Sequence, residues 1–129
     1  MKQIKKIIVL MLLSTTVFAI DIYEDIANSI RNGDASQLAT FFSSNIDLTI
    51  IDQENVYSKS QAEFIVKDFF SKNHPKSFNI IHKGSSPEGT QYAIGTLTCV
   101  NGKSFRASFY LKNNNGKFTI QELRIENDK

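Results

Sequence analysis

Between Ser77 and Glu126 the chain falls into four strand-length runs: Ser77 to Gly84, Thr90 to Val100, Lys103 to Lys112 and Lys117 to Glu126. They are parted by Ser85-Ser86-Pro87-Glu88-Gly89, by Asn101-Gly102 and by Asn113-Asn114-Asn115-Gly116. Short runs joined by turn residues pair with their sequence neighbours, so this half of the chain is expected to form a four-stranded antiparallel meander. Asn101-Gly102 is the strongest hairpin signal, because both residues tolerate the positive φ of a type I′ turn. The alternation of Phe105, Ala107, Phe109 and Leu111 marks one face of that sheet as core.

Helices precede the meander. Asp21 leads a stripe of Ile22, Tyr23, Ile26, Ala27 and Ile30 that stops at Asn32-Gly33, which predicts a helix over about 21–32. Asp34 and Gln37 offer a capping box to a short second helix whose apolar face is Leu38, Phe41 and Phe42. Ile46 to Asp52 alternates at period two before the turn Gln53-Glu54-Asn55, and Val56-Tyr57 begins a return strand. A capping box, Ser58 with Gln61 or Ser60 with Glu63, then opens a long helix carrying Ala62, Ile65, Val66, Phe69 and Phe70. Proline at 75 disfavours helix in the residue before it and so ends that element.

Residues 1 to 20 combine Lys2, Lys5 and Lys6 with an apolar run from Ile7 to Ile20, and Val17-Phe18-Ala19 has the small-residue pattern of a cleavage site. The run is shorter than the roughly 20 residues a membrane-spanning helix needs, so residues 1–19 read as a cleaved signal peptide and 20–129 as one domain. The expected location is the periplasm or the exterior, with membrane contact only through the uncleaved leader. Removing three lysines turns the formal +2 of the whole chain into 12 basic against 13 acidic residues, so the apparent basicity belongs to the leader. The remaining charge is uneven. Residues 20–58 hold seven acids against Arg31, whereas residues 59–117 hold nine basic residues against three acids.

Cys99 is the only cysteine, so no internal disulfide is possible and a buried structural thiol is expected in the run Gly95 to Val100. His74 and His82 lack metal-ligand spacing, and neither HExxH nor CxxC accompanies them. There is no Gly-rich phosphate loop and no nucleophile elbow, so neither metal nor cofactor is expected. Lys59, Lys67, Lys72, Lys76 and Lys83 could form a basic strip, but no aromatic platform is interleaved with it, which argues against a nucleic-acid partner.

The order helix, helix, strand pair, long helix, four antiparallel strands resembles the nuclear-transport-factor-two-like (SnoaL-like, cystatin-like) cone, in which a curved sheet wraps the long helix. More closely, VYSKSQAEFIVKDFFSKNHPKSFNIIHKGSSPEGTQYAIGTL and the ending FTIQELRIE resemble a family of small exported bacterial proteins catalogued as a domain of unknown function. The resemblance covers about residues 21–126 and implies an α+β cone and export. It implies no activity, because the fold carries isomerases, dehydratases, epoxide hydrolases and binding domains alike.

A two-residue Asn101-Gly102 loop would set Thr98 opposite Phe105, Thr96 opposite Ala107, Ile94 opposite Phe109 and Tyr92 opposite Leu111. With regular turns elsewhere, one interior row would carry Glu122 beside Thr96, with Arg124 and Thr98 next to it and His82 and Tyr92 at the rim. Those six residues form a candidate pocket for a small polar ligand, Arg124 holding an anionic group and Glu122 a hydroxyl or amine. The apolar positions change phase, however, from Phe118 and Ile120 to Leu123 and Ile125. One bulge near Gln121 would turn Glu122 and Arg124 to solvent, and both registers stay open here. Without the bulge, Ile81, Leu97, Tyr110, Leu123 and Ile125 would form an apolar convex face fit for a homodimer.

The chain is therefore expected to be an exported, non-enzymatic small-molecule-binding or protein-interaction domain. The alternative is a small cofactor-free hydrolase, isomerase or dehydratase using Glu122 or His82 in the cone. An enzyme needs an enclosed pocket, whereas an interaction domain can fill its cone with Phe69, Phe78 and Phe109.

Overall fold

The computed structural model describes residues 21–128; the expected leader and its cleavage point after Ala19 lie outside them. Helix α1 (Ile22–Arg31) starts at Asp21, whose carboxylate accepts from Tyr23 N at 3.1 Å and Glu24 N at 3.4 Å. Gly33, at φ 62°, turns the chain out of α1. Helix α2 (Ala35–Ala39) is five residues long and is capped by Asp34. Helix α3 (Lys59–Lys72) uses the Ser58/Gln61 box rather than Ser60/Glu63: Gln61 N donates to Ser58 Oγ at 3.3 Å and Ser58 N to Gln61 Oε1 at 3.2 Å.

The strands are β1 (Phe42–Ile50), β2 (Gln53–Ser58), β3 (Pro75–Ser85), β4 (Gln91–Cys99), β5 (Ser104–Asn114) and β6 (Lys117–Asn127). Phe42 opens β1 instead of closing the second helix, because its ring is buried at the start of that strand. The expected strand pair and meander are one sheet of order β2-β1-β6-β5-β4-β3, joined by parallel pairing of β1 with β6. Nothing in either strand's own pattern announces that long-range pairing. Ile51 turns β1 into β2 at φ 59°, a strained value for a β-branched residue, and its N–H donates to Ile125 O at 2.7 Å.

The helices cover one face of the sheet: α1 packs on β3, α2 on α3, and α3 on β1 and β2. Arg31 Nη2 ties α1 to that sheet by donating to Phe78 O at 2.8 Å. Side chains from this inner face and from the helices make one core, including Ile26, Val66, Phe78, Leu97, Phe109, Leu123 and Ile125, all with no exposed surface.

Three register differences decide which face each strand residue takes. The β4–β5 hairpin closes through Cys99 N to Lys103 O at 2.9 Å and Gly102 N to Cys99 O at 3.0 Å, with Gly102 alone in positive φ. The loop is thus three residues, a type I turn followed by a left-handed glycine, and not the two-residue type I′ turn. Leu97 rather than Thr98 sits opposite Phe105, and Gly95 rather than Thr96 opposite Ala107. On β6, Tyr110 pairs with Glu122 and Leu111 with Ile120, so Gln121 is the bulged residue. On β3, the register shifts between Ile80 and His82, which leaves Ile81 as an extra residue. Because strand side chains alternate, each one-residue change moves a whole set to the other face.

Candidate functional site

Among the described residues, side chains fill the centre of the inner face, and a depression of about 590 Å³ remains at its end beside Phe69 and Phe105. Phe78 and Phe109 are fully buried, and Phe69 packs edge-on against Phe105 with ring centroids 5.1 Å apart. Tyr23 of α1 closes over Phe109 at 6.2 Å. Cys99 is buried here too, and burial pushes its thiol pKa up. Burial acts first on the Tyr23 hydroxyl as well, raising its pKa with a smaller push from Asp21.

None of the six candidate pocket residues points into this core. His82, Tyr92, Thr96, Thr98, Glu122 and Arg124 do share one face of the sheet, but it is the outer one, because the hairpin loop and the bulges at Ile81 and Gln121 reverse the expected phase. They are spread over several rungs. One rung reads Asp47, Glu122, Tyr110, Tyr92, Gly84 from β1 to β3, and the next reads Thr49, Arg124, Ser108, Ile94, His82. Thr96 lies opposite Arg106 and Thr98 opposite Ser104, so β5 separates both threonines from Glu122. The acid–base reading of Glu122 and His82 in the cone thereby loses its geometry.

The expected dimer face is divided by the same shifts. Leu97, Leu123 and Ile125 are core residues with no exposed surface, whereas Ile81 is 64% exposed on its bulge and Tyr110 is half-buried on the outer face.

What the outer face does assemble is a charged knot and an aromatic row. Arg124 Nη1 donates to Glu122 Oε1 at 3.3 Å and Nη2 to Glu126 Oε1 at 2.9 Å. Its pKa is raised, first by the hydrogen bond to Glu126, against the opposing effect of burial, and further by the charges of Glu126, Glu122 and Glu54. Beside this knot, Thr49 is 3% exposed and its Oγ1 has no hydrogen-bond partner among the described residues; Asp47 Oδ1 is likewise buried and unpartnered among them. Tyr110 and Tyr92 lie with ring centroids 5.7 Å apart, and Tyr92 and His82 at the same spacing, His82 Nε2 being 3.3 Å from Tyr92 Oη.

Sequence reasoning paired Glu122 with Arg124 and placed His82 near Tyr92, as the structure does. It missed Asp47, Thr49 and Ser108. The alternation Ile46-Asp47-Leu48-Thr49-Ile50 did set Asp47 and Thr49 apart from the core, but only the parallel β1–β6 pairing brings them beside Glu122 and Arg124.

Charge divides across this face. Its β2–β1–β6 half carries Glu54, Asp47, Glu122 and Glu126 around Arg124. Strands β3, β4 and β5 contain no carboxylate and present Lys112 and Arg106 there, the latter 3.8 Å from the Asp128 carboxylate. The uneven charge of the sequence has become a dipole across the sheet.

Comparison with solved structures finds a protein of Bacteroides ovatus, 26% identical, with a TM-score of 0.75 over 81% of this chain and 94% of that one. A protein of Bacteroides uniformis is 24% identical, with a TM-score of 0.77 over 84% and 99% of the two chains. Both are described as DUF4783 family proteins. A designed NTF2 protein with a long sheet, 16% identical, shares the fold at a TM-score of 0.63 over 80% and 94%. No curated protein matches. The α+β architecture is therefore NTF2-like, and since the family model for the domain of unknown function DUF4783 matches residues 23–126, the chain belongs to that family.

Proposed function

We propose that the protein is an exported, non-enzymatic interaction domain whose working surface is the outer face of its sheet and whose partner is a second copy of itself. The observation that carries this reading is the filled centre of the cone: among the described residues, Phe78 and Phe109 have zero exposure and occupy the space where a reacting molecule would be enclosed. The divided charge of the outer face supplies the partner. A two-fold axis near the sheet centre sets the Glu54, Asp47, Glu122 half of one copy against the Arg106, Lys112 half of the other, the isologous arrangement that a symmetric dimer requires. Ile94, half-buried on β4 within the basic half, would lie under the acidic half of the second copy. Export rests on the basic, apolar and small-residue succession of residues 1–19.

Sedimentation velocity of the chain from residue 20 onward is the test. The expected result is a dimer that Ile94→Asp converts to a monomer with unchanged circular dichroism, and that high salt weakens. A monomer at about 100 μM, well above the micromolar range of weak specific association, overturns the reading.

A further inference from the structure

At the margin of the outer face, where the β3–β4 loop meets the ends of β5 and β6, lies a depression of about 690 Å³. The Gln121 bulge forms its floor, and Gln121 is held there by donating from Nε2 to Ser43 Oγ at 2.6 Å. Tyr110 forms an aromatic wall, backed by Tyr92. The polar lining has both signs: Asp47, Glu88 and Glu122 contribute carboxylates, and Lys112 an ammonium. Among the described residues, Asp47, the carboxylate with the unpartnered oxygen, has no ion pair, and neither does Lys112.

That mixture narrows the ligand class. Three carboxylates against one ammonium repel an anion but attract an organic ammonium, which only Lys112 opposes, so an ammonium is the competing occupant that the experiment must separate. Among the described residues, no three His, Cys, Asp or Glu side chains are grouped to hold a metal ion. A neutral molecule that both donates and accepts hydrogen bonds, with one apolar face to lay on a tyrosine ring, satisfies every wall at once. We infer that this depression is a binding site for a pyranose-type sugar. The C–H face of the ring stacks on Tyr110, its hydroxyls donate to Asp47 and Glu122, and Lys112 donates to a ring or hydroxyl oxygen. The volume is in the range of small-molecule sites, and because Asp47, Glu122 and Lys112 also belong to the proposed self-contact, a sugar and a second copy compete for this surface.

The probes are methyl glucoside, methyl galactoside and methyl mannoside, examined by saturation-transfer difference NMR with the wild type and with Ile94→Asp. Saturation transfer from the protein to at least one glycoside is expected, with affinity falling about tenfold in Asp47→Asn and in Tyr110→Ala and kept in Tyr110→Phe, which preserves the ring. Binding in Ile94→Asp alone also supports the site and places it under the second copy. Transfer to none of the three in either protein overturns the inference, as does transfer unchanged by Asp47→Asn and Tyr110→Ala. Butylamine binding where all the glycosides fail overturns it in favour of an ammonium. Sedimentation decides self-association separately, so the two readings fail independently.

Discussion

Tyr92 lies flat across Gly84: a methyl group at residue 84 would come within 2.5 Å of Tyr92 Cζ. The aromatic row of the outer face therefore depends on a missing side chain one strand away. Gly84→Ala is expected to swing the ring outward, break the His82 contact and cost about 1 kcal/mol, the low end for overpacking, since a surface ring can move. Near-UV circular dichroism reads the ring, and thermal unfolding reads the cost. In the Tyr92→Ala background the same substitution should cost nothing measurable.

Gly95 poses a harder version of this constraint. A Cβ there would meet Phe78 Cε1 at 2.6 Å and the backbone oxygen of Asn79 at 2.7 Å, and neither has room to retreat. Gly95→Ala should destabilise by about 1–3 kcal/mol in urea unfolding. An unchanged midpoint would mean that β3 and β4 do not pack as described.

The faces of β6 can be tested by adjacent substitutions. Leu123 has no exposed surface, so Leu123→Asp buries a charge and is expected to unfold the chain, the loss being several kcal/mol. Arg124, with a side chain 35% exposed, should tolerate Met at a cost below about 1 kcal/mol, as partly exposed ion pairs contribute little. Far-ultraviolet circular dichroism separates the two; a folded Leu123→Asp beside an unfolded Arg124→Met would reverse the assignment.

Cys99 should resist alkylation in the native state, because it is buried and its thiol is held above the ordinary range. The folded chain keeps this proton at a pH where the unfolded chain has released it, so this contribution falls as pH climbs past about 8.5, the ordinary thiol value. Denaturant titrations at pH 7, 8 and 9.5 should show a decline that is shallower in Cys99→Ala. Rapid iodoacetamide labelling without denaturant contradicts the placement.

The sequence made the helices legible because each carries its own start signal: Asp21, Asp34 and Ser58 all cap as their positions suggest. The meander was legible for a similar local reason. Register was not, because it turns on single residues. Asn101-Gly102 is compatible with loops of two or three residues, and what separates them is whether Asn101 takes positive φ; here its side chain instead accepts from Lys103 N at 3.0 Å and donates to Asn73 Oδ1 at 3.0 Å. The phase change at Gln121 did mark a bulge, and the structure has it there. The parallel β1–β6 pairing leaves no trace in either strand, since it is a property of two segments brought together by the whole fold.

That pairing places the last strand in the middle of the sheet. A chain emerging from its N-terminus can form the β1–β2 hairpin and the β3–β5 meander, but these remain two open-edged pieces until the eleven residues of β6 arrive to bridge them. Closure of the sheet therefore waits on β6, and cooperative folding of this domain cannot finish before that strand has been made.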